Sequence, residues 1–195
     1  MSSLDALEWF HSLDRPSWRG WLAEHHSTAS GVWLVTYKKA TGRPRIEYAD
    51  AVEEALCFGW VDSLPRSIDD ERSRLLVTPR KAGSGWSRLN KERVARLVAL
   101  GLMAPAGLVA VERAKADGSW SALDAIEDLV EPDDLRAALD GDPAARGNWD
   151  AFPRSVKRGI LEWIASAKRP GTRAKRIEET TTLAARNERA NQWKR

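Results

Sequence analysis

Cysteine is almost missing from this chain. Cys57 is the single one in 195 residues, which excludes an internal disulfide and a Cys-based zinc site. Three histidines, two of them adjacent at His25 and His26, leave no His-rich metal constellation. No apolar run approaches the ~18 residues a membrane span requires. The opening MSSLDALEWFHSLDRPSW has neither a basic n-region nor a continuous apolar h-region, so no signal peptide is expected and the expected location is cytoplasmic. G-x-S-x-G, H-E-x-x-H, G-x-G-x-x-G, the Walker A loop and the kinase set are also absent. An enzyme built on this chain would need a constellation that sequence spacing does not reveal. No metal and no cofactor is expected.

Tryptophan, by contrast, is abundant: ten, against three Phe and two Tyr. A buried indole needs a partner for its N–H, which places several of these rings at pocket walls or between subdomains. The hydrophobic share of 43% is enough to bury a core at this length. The net charge of +3 conceals blocks. Arg72 to Arg96 holds eight basic residues and one acidic, and so does Arg154 to Arg176. Between them, Asp117 to Asp142 holds nine acidic and one basic. Either the blocks complement one another within the molecule or they form opposed faces.

Periodicity gives the elements. Leu4, Leu7, Trp9 and Phe10 fit a short helix. Asp14 before Pro16 starts a second one, with Trp18, Trp21 and Leu22 on one face. GVWLVTYKK (Gly31 to Lys39) is a strand. Tyr48 to Gly59 is a helix that Gly59 ends. VDSLPRSI and RSRLLVTP form a hairpin around an acidic turn, and Pro65 assigns its first strand to an edge. Ser87 caps a helix over Arg88 to Leu100 with Leu89, Val94, Leu97 and Val98 inward. Pro105 opens the next helix, and Pro132 and Pro143 open two more. Val156, Ile160, Trp163 and Ile164 make the clearest amphipathic helix. Pro170-Gly171 breaks it, Thr172 caps the last helix, and the tail frays from Arg189. The fold class is therefore α+β: a small antiparallel sheet with N-terminal helices in residues 1–120, followed by an all-helical part in residues 121–195.

Three stretches hold the candidate chemistry. In TPRKAGSGWSRLNKERV (Thr78 to Val94) a strand ends, a Gly/Ser loop carrying Arg80, Lys81 and Ser84 follows, and a helix begins beyond Trp86 near Asn90. Loop N–H groups, a helix N-terminus and two cations make an anion site. AKRPGTRAKR (Ala167 to Arg176) is a second cationic knot, with Lys168, Arg173 and Arg176. LCFGWVDS (Leu56 to Ser63) places Trp60 and Asp62 at a helix-to-strand joint. Cys57 there reads as a small buried hydrophobe, and Asp62 as a group that caps, accepts from an indole, or pairs with an Arg such as Arg80. Basic runs interleaved with aromatics would serve nucleic acid, for which Trp86 and Trp193 qualify by position.

ALCFGWVDS, TPRKAGSGWSRLNKERV, GLMAPAGL (Gly101 to Leu108), AKADGSW (Ala114 to Trp120) and WIASAKRPGTRAKRI (Trp163 to Ile177) together resemble the bacterial YdeI/OmpD-associated, or bacteriocin-protection, family, from about Trp18 to Arg186. The resemblance implies a C-terminal module over about Asp134 to Arg186, built of two or three helices. It also implies a setting of tolerance to cationic antimicrobial peptides with a link to an outer-membrane porin, and no settled reaction. The family's motifs coincide with the three stretches above, which leads to the expectation of one cleft with Trp walls and a cationic floor for a small anionic ligand. The alternatives are a protein partner, nucleic acid on the two basic blocks, or an enzyme with an Asp/Arg/Trp cleft. The oligomeric state is open.

Overall fold

A computed structural model describes residue 4 and residues 6–191. It divides the chain into two compact units, Met1–Ser121 and Ala122–Arg195.

The first unit opens with a strand, β1 (Glu8–His11), where a helix is expected from the sequence. The Leu4, Leu7, Phe10 spacing does mark a helical face. However, the stretch ends at Asp14, whose side chain caps the next helix by accepting from Ser17 N–H at 2.9 Å. Four residues pair instead with the free edge of β2 (Val32–Tyr37). Between them α1 (Arg15–His25) makes the crossover, so β1 runs parallel to β2. A short 3-10 turn (Lys39–Thr41) and α2 (Tyr48–Cys57) follow. The hairpin strands β3 (Trp60–Ser67) and β4 (Arg72–Pro79) complete a sheet of order β1-β2-β4-β3. The sheet is therefore mixed rather than antiparallel. β3 is the edge that Pro65 announces, with a register shift between Asp62 and Pro65. Two helices close the unit, α3 (Arg88–Ala99) and α4 (Pro105–Ala116).

Strand alternation divides the side chains between two faces. Phe10, Val32, Leu34, Val77 and Trp60 share the face that the register aligns under α1 and α2. Phe10 lies against Trp18 and Trp21, and Trp21 meets Trp60 edge-on. The indole donors here are satisfied: Trp18 donates to Ala51 O at 3.0 Å, Trp60 to His26 O at 3.2 Å and Trp21 to Glu8 at 3.3 Å. Trp9, His11, Trp33, Tyr37, Arg72, Arg74 and Arg66 alternate onto the other face.

The second unit holds α5 (Asp124–Glu127), α6 (Asp133–Asp140), α7 (Pro143–Ala151), α8 (Arg154–Ala165) and α9 (Pro170–Ala185). Its core collects Leu135, Leu139, Trp149, Ile160, Ile164 and Ile177. Three finer expectations change. Leu89 and Val98 of α3 are exposed, and only Val94 and Leu97 of the four are buried. The last helix begins at Pro170, with Arg169 rather than Thr172 at its cap, because proline fits the first turn. Ala190 packs into the core of this unit, so the fraying expected from Arg189 does not begin there, and the rest of that expectation falls on residues 192–195, outside those described. Trp193 lies outside the described residues. No described helix is long and apolar enough to cross a membrane.

Candidate functional site

Seven of the ten candidate residues lie in the first unit and three in the second. Arg80 sits just past β4, held by its N–H to Gly59 O at 3.0 Å. Its side chain is 94% buried, the plane lies 3.9 Å from the Trp86 ring centroid, and Nη1 donates to Gly85 O at 3.1 Å. Nε is buried without a hydrogen-bond partner, as is Trp86 Nε1. No carboxylate among the described residues comes within ion-pair distance of Arg80. Burial pushes this guanidinium down to about 10, with the charge of Asp62 opposing the shift. It still carries its proton at neutral pH.

The surrounding loop is partly used up. Gly83 N–H donates to Asp117 Oδ2 at 3.1 Å and Ser84 N–H to Lys81 O at 3.3 Å. Ser87 caps α3 by accepting from Asn90 N–H at 3.3 Å, and the Asn90 side chain accepts from Arg93 at 2.9 Å. Gly83 and Ser84 in the loop, and Asn90 and Lys91 at the start of α3, thus spend their N–H groups internally, which leaves the cations Arg80 and Lys81 as the main features for an anion. Both line a groove of about 610 Å³ together with Ser30, Ser63, Leu76 and Thr78. Lys81 is exposed at its rim.

Asp62 has a partner that sequence reasoning missed. Tyr48 Oη donates to it at 2.6 Å. Desolvation, followed by this bond, pushes the phenol up to about 12. Asp62 pairs in register with Val77, so it belongs to the helix-covered face and not to the groove. The proximity of Tyr48 carries no sequence signal beyond its position at the first turn of α2. Trp60 is a core residue.

Beside Cys57 lies a second ionic cluster, also unforeseen. Consecutive Glu53 and Glu54 are both buried on α2. Glu54 takes Arg15 Nε at 2.5 Å and Arg19 Nη1 at 2.6 Å, while Glu53 takes Arg15 Nη1 at 3.2 Å and Arg96. Every carboxylate is matched, so this cluster clamps α1, α2 and α3 together. Burial, then the charge of Glu54, raises the Cys57 thiol, which leaves it a poor nucleophile.

In the second unit Arg173 is bidentate to Asp134, at 2.6 and 2.8 Å. Arg176 donates to Trp163 O and to Ser166 Oγ at the end of α8, with its plane 5.0 Å from the Trp163 centroid. Lys168 is exposed. Among the described residues no group of His, Cys, Asp and Glu is placed to hold a metal ion.

A sheet-and-helix unit with a buried cation, joined to a small helical unit, is the class of molecule this geometry defines. The chain belongs to the family described as a domain of unknown function (DUF8412), whose model matches residues 10–110. Residues 128–187 match the model of the family described as bacteriocin-protection, YdeI or OmpD-associated. The expected resemblance is therefore shown for the C-terminal part, and motifs such as LCFGWVDS fall within the other match. No curated protein and no solved structure matches the chain.

Proposed function

We propose that this is a cytoplasmic, non-enzymatic binding protein for an anionic ligand, received in the groove at Arg80 and Lys81. The setting is the bacteriocin protection named in the description of its C-terminal match. The observation that carries the reading is the buried guanidinium of Arg80, which has no carboxylate in ion-pair reach and has an unbonded Nε. A desolvated cation is costly alone and gains most from an anion that completes its hydrogen bonds. Lys81 at the rim adds a second positive charge, while Ser30, Ser63 and Thr78 line the groove beside it. Asp62, whose charge reaches Arg80, lies on the opposite face of the sheet and does not line the groove.

The test is a titration of the full chain with inorganic phosphate, nucleoside monophosphates and small carboxylates, read by Trp fluorescence and melting temperature. Trp86 lies against Arg80 and acts as the local reporter. An anion at a hundred times its Kd stabilises by about 2.7 kcal/mol. Lys81→Ala, which changes only an exposed side chain, weakens the effect. Arg80→Lys keeps the charge but loses the planar fork, and abolishes it. Silence across the panel, or a shift that survives both variants, refutes the reading.

A further inference from the structure

The face of the sheet opposite α1 and α2 carries a stack that the groove does not use. The Arg74 guanidinium lies between two indoles, 4.4 Å from the Trp9 centroid and 4.1 Å from that of Trp33. Arg66, opposite Arg74 in register, lies 5.7 Å from the Trp33 centroid. Further along the same face, His11 meets Tyr37 edge-on at 4.7 Å, and Arg43 covers Tyr37 at 4.9 Å. Trp9, at the sheet edge, is half exposed. Arg43 and Arg72 are matched by Glu71 and Asp69 at the hairpin tip, where Asp70 also lies. Arg66 and Arg74 have no ion pair among the described residues, and Arg74 Nε is buried with no hydrogen-bond partner. Desolvation, then the positive charge of Arg72, lowers the pKa of His11, which keeps that ring a neutral aromatic plate at neutral pH.

We infer that this face docks single-stranded nucleic acid, with a base stacked on Trp9 and phosphates beside Arg66 and Arg74. Flat aromatic rings interleaved with unpaired guanidiniums on a sheet are what a sequence-tolerant strand requires, because every base offers a π-face and every nucleotide a phosphate. A duplex hides its base faces and leaves Trp9 nothing to stack on. The site shares no residue with the pair Arg80 and Lys81, so it stands or falls apart from the groove reading.

The experiment is fluorescence anisotropy of a short labelled oligo(dT) with the full chain, repeated with the annealed duplex, with anionic phospholipid vesicles, and over a range of salt. The single strand binds more tightly than the duplex. Two phosphate contacts give a log–log salt slope of about −1.4, which falls to about −0.7 in Arg66→Ala. Trp9→Ala weakens binding by about tenfold to a hundredfold. Both side chains are exposed, so neither change threatens the fold. No binding to the oligonucleotide, equal binding to the duplex, binding indifferent to Trp9→Ala, or Trp9-dependent attachment to vesicles alone each overturns the inference. Phosphate titration of Trp9→Ala, set beside oligonucleotide titration of Lys81→Ala, separates failure of this face from failure of the groove.

Discussion

Replacing Gly107 by alanine tests the tightest approach in the first unit. Gly107 lies in α4, where the helix crosses the end of α2, and Ala104 N–H anchors the crossing by donating to Cys57 O at 3.0 Å. A Cβ at position 107 would stand 2.2 Å from Cys57 O, 2.7 Å from the Cys57 carbonyl carbon and 2.9 Å from Leu56 O. A carbon needs about 3.3 Å from a carbonyl oxygen, so the helices must part by about 1 Å. All three obstacles are backbone, and no side chain can swing aside. α4 also comes close to the chain at Gly59, where φ is left-handed at 74° and an added Cβ would meet Ala106 O at 3.0 Å, so a second glycine marks the same tight approach. Overpacking of this kind costs about 3 kcal/mol, while alanine in place of glycine returns about 1 kcal/mol of helix propensity. The net loss of about 2 kcal/mol lowers the melting temperature by about 8 °C for a unit of this size. Gly20 in α1 is the control, because nothing lies within 4 Å of its Cβ position. Gly20→Ala gains about 0.5–1 kcal/mol. The same chemical change thus has opposite signs at two helical sites of one unit. Thermal melts followed by Trp fluorescence decide the matter, and Gly107→Ala melting at or above the parent temperature would refute the packing argument.

Three further outcomes follow from the electrostatics. Glu54→Gln leaves Arg15 and Arg19 without their shared counter-charge and destabilises by about 2–3 kcal/mol in urea unfolding. Asp69→Asn, which removes the exposed partner of Arg72, costs under about 1 kcal/mol; equal losses would sink the distinction. Tyr48 ionises near 12 in the fold, against 10.0 unperturbed. Its folded value is raised, so its contribution to stability is present in full below about pH 10 and is lost as pH climbs to about 12. An ultraviolet titration of the parent against Tyr48→Phe reads the phenol directly, and ionisation at the ordinary value would show that neither its desolvation nor its bond to Asp62 holds. Cys57, buried with a raised pKa, does not react with a thiol reagent in the folded chain and reacts at once in denaturant. Rapid labelling of the native protein would reopen a nucleophilic role.

The features legible in the sequence are those set by local chemistry. Asp14 and Ser87 as caps, Gly59 as a terminator and Pro65 on an edge strand follow from backbone rules that hold whatever surrounds them. The first strand was hidden because four residues carry little periodicity, and its pairing with β2 is decided by a crossover rather than by its own composition. The inward stripe of α3 failed for a related reason. Leu89 and Val98 satisfy the apolar spacing, but the helix turns a narrower face to the core. At the site, Arg80 and Trp86 stand six residues apart across a Gly/Ser loop, close enough for the sequence to unite them. Tyr48 with Asp62, and Arg15 and Arg19 with Glu54, join residues on different elements, and no spacing rule connects them.

The charge blocks show how a fold changes what a sequence seems to offer. In the second unit the basic run is largely consumed. Arg154 donates to Glu127 O, Arg158 faces Glu127 at 3.8 Å and Glu162 at 3.3 Å, Arg173 grips Asp134, and Arg176 closes the end of α8. Glu127 and Asp134 come from the acidic run, so within this unit the two blocks are complementary. Arg146 adds Glu131 at 3.0 Å and Asp140 at 2.8 Å to the same pattern. A polyanion would have to displace pairs already made, at a cost for each that its own phosphates would only match. The first unit also pairs Arg15, Arg19, Arg72 and Arg96 with carboxylates, but it leaves three cations outside that pattern. Arg66, Arg74 and Arg80 are stacked on indoles instead of paired with carboxylates. Stacking orients a guanidinium and covers its faces but leaves its charge uncompensated. The anion sites proposed above therefore use cations that the fold has stacked rather than ion-paired, and those lie on the sheet and its exit loop, not where basic residues are densest in the C-terminal sequence.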